Sequence, residues 1–100
     1  MKTVGQILRS TRENKGLLLR EVAAQANIDQ AILSKIERGE RSATKNQIIR
    51  LAEVLKLNKN DVLVEYLSDK IANEVVYEDV AIEALKVAEG KVKYLKTNHK

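Results

Sequence analysis

No proline interrupts the 100 residues of this chain, and no glycine occurs between Gly39 and Gly90. These two residue types break helices most strongly. Proline lacks the amide hydrogen and collides with the preceding turn, and glycine gives up backbone entropy when ordered. A stretch free of both is one that long helices can occupy, so an all-α chain is expected rather than a sheet protein. Hydrophobic residues make up 44% of the sequence, enough for a modest core. With Tyr66, Tyr77 and Tyr94 as the only aromatics, that core must be aliphatic. The length allows one domain, or one domain with an appendage.

Several function classes are excluded early. There is no cysteine, hence no disulfide and no thiolate metal site. His99 is the single histidine and lies in a polar tail, where a solvated side chain is expected rather than a zinc ligand or general base. No apolar run approaches the roughly 20 residues of a membrane span, and the N-terminus has the pattern of an amphipathic helix, not of a signal peptide. A cytoplasmic protein is expected, with no membrane partner. The net charge is +4. From Met1 to Leu67 twelve bases face eight acids, whereas beyond Leu67 six lysines balance six acids. A polyanionic partner therefore belongs with the N-terminal two-thirds.

Helix signals recur along that region. Thr3-Val4-Gly5-Gln6 has the form of a capping box, and Val4, Ile7, Leu8 and Thr11 follow as one stripe up to a stop at Gly16. A short helix is expected over Leu19 to Ala26, burying Val22, Ala23 and Ala26, with Asn27 in the left-handed position after it. Asp29 caps a third helix ending at Gly39, with Leu33 and Ile36 inward. Thr44-Lys45-Asn46-Gln47 is a second capping box, opening a helix that buries Ile48, Leu51, Ala52 and Leu55. Asn58 caps the fifth, whose apolar face is Val62, Leu63, Tyr66 and Leu67. Five helices fit into about 70 residues. The β-branched pair Val75-Val76 suggests a break, and a sixth helix is expected from about Asp79 to Lys96. Its residues Ala81, Leu85, Ala88, Val92 and Leu95 are spaced like a heptad seam.

The segment Leu19 to Gly39 is the most informative. Two helices joined by a three-residue turn place Val22, Ala26, Ile28, Leu33 and Ile36 inward. Ala23 is small where the two must cross closely. One face of the second helix stays free: Asp29, Gln30, Ala31, Ser34, Lys35 and Arg38. Such a helix fits the DNA major groove, about 12 Å wide, where amides and cations read base edges.

Val4 to about Leu63 resembles the Xre/Cro/phage-repressor helix-turn-helix family. The likeness is carried by Gly16-Leu17, Glu21-Val22-Ala23, Ile28, the block Ser34-Lys35-Ile36-Glu37-Arg38-Gly39 with Arg41, and Leu51-Ala52 with Leu55. The resemblance implies an all-α, five-helix repressor-like bundle, here with an additional C-terminal helix, that binds palindromic operator DNA as a dimer. It further implies base reading by Gln30, Ala31, Ser34 and Lys35. DNA-backbone contacts fall to Arg38, Arg41 and Lys45, with Leu19 offering a main-chain amide. Arg12 and Glu37 match a pair that bridges the first and third helices in some members. The sequence departs from the family pattern at Leu18 and Leu19, where members carry a hydroxyl cap and a phosphate-binding glutamine, and at Asn27 and Ala43, where they carry glycine and proline.

Plainer readings stand beside these. Gln30 and Lys35 also suit a solvated helix face, Ser34 a bond to its own backbone, and Ile32 either the core edge or a thymine methyl. Residues 1–67 are expected to form the DNA-binding domain, and 68–100 a helical extension that either folds back or pairs with a second subunit. Pairing is preferred, since one monomer reads half a site. The expectation is a sequence-specific, homodimeric transcriptional regulator that contacts double-stranded DNA, needs no cofactor, shows no evident small-molecule ligand and is not an enzyme. A restriction–modification controller is one role within that class. A helix-turn-helix-like protein-interaction module that does not read DNA is the alternative.

Overall fold

A computed structural model describes residues 1–98 of the chain. His99, expected to be solvated, lies outside the described residues. Six helices follow in order: α1 Val4–Asn14, α2 Leu19–Ala26, α3 Gln30–Glu37, α4 Lys45–Val54, α5 Lys59–Val75 and α6 Ala81–Asn98. Among the described residues there is no strand. The all-α expectation holds, and α2 matches residue for residue. The sixth helix begins two residues later than expected, because turns at Val76–Tyr77 and Asp79–Val80 carry the chain into it.

Helix starts are set by short side chains that accept first-turn amides. Thr3 Oγ1 accepts from Gln6 N–H at 3.2 Å while Gln6 Oε1 accepts from Thr3 N–H at 2.9 Å. Thr44 and Gln47 repeat this exchange at 3.1 and 2.9 Å. Asp29 Oδ1 accepts from Ile32 N–H, and Asn58 Oδ1 from Asp61 N–H. Each bond satisfies an amide that has no partner within its helix.

Helix ends follow one device four times. After α1, α2, α3 and α4 a residue enters the left-handed region: Gly16 (φ 69°), Asn27 (54°), Gly39 (76°) and Lys56 (56°). At each, its N–H and the next residue's N–H return to carbonyls of the last turn, the Schellman pattern. For α3 these bonds are Gly39 N–H to Ile36 O at 3.1 Å and Glu40 N–H to Lys35 O at 2.9 Å. Lysine in this conformation is unexpected from composition, since a Cβ there meets the following carbonyl.

The described residues divide into two compact units, Met1–Lys70 and a second from Ile71 onward. In the first, Leu8, Val22, Leu33, Ile48, Leu51 and Leu55 are fully buried, joined by Ala23, Ala26, Ile36, Val62 and Tyr66. Helix α2 packs on α3 and α4, and α1 on α3. The core is mostly the aliphatic one that the sequence implied, but Tyr66 and Ala43 are part of it and Leu67 is half exposed instead of contributing to it. Gly5 lies against the end of α3. A Cβ there would overlap the Ile36 carbonyl oxygen and come within 2.9 Å of that of Glu37. The first turn of α1 is tied to α5 by Val4 N–H, which donates to Asp69 Oδ2 at 2.8 Å. In the second unit, α6 contains no buried residue; Val92, Tyr94 and Leu95 are each at least half exposed.

Candidate nucleic-acid interface

Helix α3 has two sides of opposite chemistry. Leu33, Ile36 and Glu37 are buried, whereas Gln30, Ala31, Lys35 and Arg38 are exposed and Ser34 is half buried. Helical spacing sets Ala31, Lys35 and Arg38 along one ridge, with Gln30 and Ser34 on the adjoining one. Ile32 is partly buried and packs on the core. Asn27 and Asp29 supply the turn and cap that launch α3 at this angle, while Val22, Ala23 and Ala26 of α2 form the surface beneath it.

The segment after α3 extends the exposed cations. Arg41 and Lys45 are both exposed, and between them Ala43 is buried, pinning the loop to the core. Arg38 is not free: its Nε lies 3.0 Å from Glu40 Oε2. Glu40 was not singled out in the sequence. Its signal is its place directly after the left-handed Gly39.

Leu19 is partly buried against the core, so its side chain points away from any partner and only its main-chain amide remains for one. Leu18 has no acceptor to offer α2. Instead Glu21 Oε1 accepts from Leu18 N–H at 2.8 Å, setting a negative charge at the start of the helix. That charge suits the helix dipole and opposes a phosphate there.

Arg12 and Glu37 meet in a two-pronged ion pair, Nε to Oε2 at 2.8 Å and Nη2 to Oε1 at 3.0 Å. Arg12 Nη1 also donates to Leu17 O at 2.9 Å. The two side chains are 13% and 5% exposed, and Glu37 is the buried charged residue of the core. The Arg12 pKa is raised above its ordinary value, chiefly by the hydrogen bond to Glu37; partial burial opposes this, and the Glu37 and Glu13 charges add to it. A raised arginine pKa gives a contribution fully present below the ordinary arginine range and lost only as pH climbs through the folded value. This pair therefore holds α3 against α1 across physiological pH.

A groove away from α3 lacks this chemistry. Its volume is about 440 Å³, and it is lined by Ile7, Leu57, Val62 and Val64 with Asn58, Asp61 and Glu65. It presents two carboxylates and no base, the wrong sign for a phosphate backbone. Among the described residues no cluster of three or more His, Cys, Asp or Glu has metal-binding geometry, and no helix is long and apolar enough to cross a membrane.

Residues 8–62 match the family model described as Helix-turn-helix. The transcriptional regulator ClgR of Mycobacterium tuberculosis is 33% identical over 64 residues, covering 64% of this chain. The chain spans 57% of the length of that curated relative. The restriction-modification controller protein C.AhdI from Aeromonas hydrophila is similar in structure, with TM-score 0.56 and 30% identity over 59% of this chain and 89% of its own. The clp gene regulator ClgR from C. glutamicum superposes with TM-score 0.57 and 32% identity, covering 66% of this chain and 86% of its own. The chain belongs to the helix-turn-helix family, of the Xre/Cro/repressor type.

Proposed function

We propose that this chain is a sequence-specific DNA-binding transcriptional regulator that acts in the cytoplasm as a homodimer on palindromic operator DNA. The observation that carries the reading is the outer face of α3, with Gln30, Ala31 and Lys35 exposed and Ser34 half buried, continued by Arg38, Arg41 and Lys45. The residues of this face read base edges; the cations meet phosphates, and the Leu19 amide adds a contact that the neighbouring Glu21 charge weakens. The relatives are transcriptional regulators, and no enzymatic step, cofactor or small-molecule ligand enters the proposal.

Residues 68–100 supply dimerisation in this reading. The support is the apolar seam of α6, in which Ala88, Val92 and Leu95 are exposed and Ala81 and Leu85 half buried. In proteins most helical stability comes from packing an apolar face, and α6 has no buried residue within one chain. Two subunits then set their recognition helices about 34 Å apart, one turn of DNA. In the full chain, Leu85→Glu with Val92→Glu should leave the helical bundle intact and weaken the dimer in sedimentation equilibrium.

The decisive test is a fluorescence-anisotropy titration of DNA binding against salt. Phosphate contacts in two subunits release about six to eight counterions, giving a log–log slope of about −5 to −7. A slope near zero, or no binding to any duplex, removes DNA as the partner and leaves the protein-interaction module as the reading.

A further inference from the structure

The four Schellman helix ends are not alike. At three of them the residue after the left-handed position is apolar and lies in or against the core: Leu17, Ile28 and Leu57. An apolar residue there is the usual companion of this ending. After Gly39 the position is instead filled by Glu40, an exposed acid. Its main chain is held in place by hydrogen bonds to the end of α3. Gly39 turns the chain back, Glu40 N–H is fixed to Lys35 O, and Oε2 comes to rest 3.0 Å from Arg38 Nε. The only other acid between Lys35 and Lys45 is Glu37, which is committed to Arg12. Glu40 therefore stands alone among Lys35, Arg38, Arg41 and Lys45.

We propose that Glu40 is an intramolecular competitor of DNA phosphate for Arg38, lowering affinity for every sequence while leaving base preference alone. The inference rests on the DNA-binding function proposed above. A carboxylate and a phosphate are both anionic acceptors for guanidinium N–H groups, and one Nε–H cannot serve both fully. Arg38 and Glu40 are 49% and 55% exposed, so the pair opens at small cost when a phosphate arrives. The released carboxylate then lies beside the phosphate and repels it. An exposed pair of this kind amounts to about a three- to five-fold effect on affinity. Salt screens it.

The test uses full-length wild type, E40Q, R38A and R38A/E40Q, each checked for helix content and melting. Anisotropy is read on a duplex selected from a randomised library and on a random duplex. E40Q should bind both about three- to five-fold tighter, with the gain shrinking at higher salt and in the R38A background. Equal affinity of E40Q and wild type overturns the inference, as does an undiminished gain when Arg38 is absent. Weaker binding to the selected duplex alone makes Glu40 a base-reading residue and overturns it too. Wild type that binds neither duplex at low salt refutes the DNA-binding function itself, and the competition with it.

Discussion

Replacing Glu37 by alanine removes one half of a pair that the fold has almost enclosed. Two charge-assisted hydrogen bonds disappear, each contributing about 1.5–3 kcal/mol. Arg12 keeps its bond to the Leu17 carbonyl and its small access to water, which offsets part of the loss. A guanidinium left without its carboxylate in a nearly closed site costs about 3 kcal/mol in total. In a unit this small such a loss lowers Tm by about 12–24 °C. Urea denaturation followed by far-UV circular dichroism should show the midpoint falling with an unchanged m-value. Replacing both partners, Arg12→Met with Glu37→Leu, should cost less than Glu37→Ala alone, because no charge is then stranded. A loss below about 0.5 kcal/mol for Glu37→Ala is what an exposed pair gives, and would refute the burial argument.

Gly5→Ala should destabilise by about 3 kcal/mol, since its Cβ meets two backbone carbonyls of α3 that cannot move aside as a side chain would; thermal melting reads the loss. Lys56→Gly should raise stability by about 0.5–1 kcal/mol by relieving a left-handed lysine, and a lower urea midpoint would show that the lysine makes a compensating contact. Gln30→Ala should lower affinity for a selected operator by about 1–3 kcal/mol with little change on random DNA, whereas Arg41→Ala should weaken both alike. An unchanged specific-to-random ratio for Gln30→Ala would move base reading to another residue.

Local chemistry made most of the fold legible. Thr3, Asp29, Thr44 and Asn58 announce helix starts because a short side-chain acceptor three residues before an orphan amide has few other uses. Asn27, Gly16 and Gly39 announce ends for the converse reason. Lys56 announces nothing, because lysine carries no preference for the left-handed conformation it takes between α4 and α5. The tightness at Gly5 and the Val4–Asp69 bond depend on which helices meet, information that periodicity within one helix does not hold. The free ridge of α3 could be read from spacing. The Arg38–Glu40 pair could not, because it forms across a turn whose two neighbouring carbonyl bonds decide where the acid points.

The bond from Val4 to Asp69 brings the beginning and the end of the first unit to one spot, 65 positions apart in sequence and 2.8 Å apart in space. A module whose two ends lie together can be joined from one side, with α5 running on through Val75 to set the direction of its exit. Spliced into an exposed loop of an unrelated protein, this unit would need linkers of only a few residues and would not pull the host strands apart. The same closure means that α1 cannot complete its contacts until Asp69 has left the ribosome. During synthesis the first turn of α1 therefore gains this bond late, after nearly the whole unit has emerged.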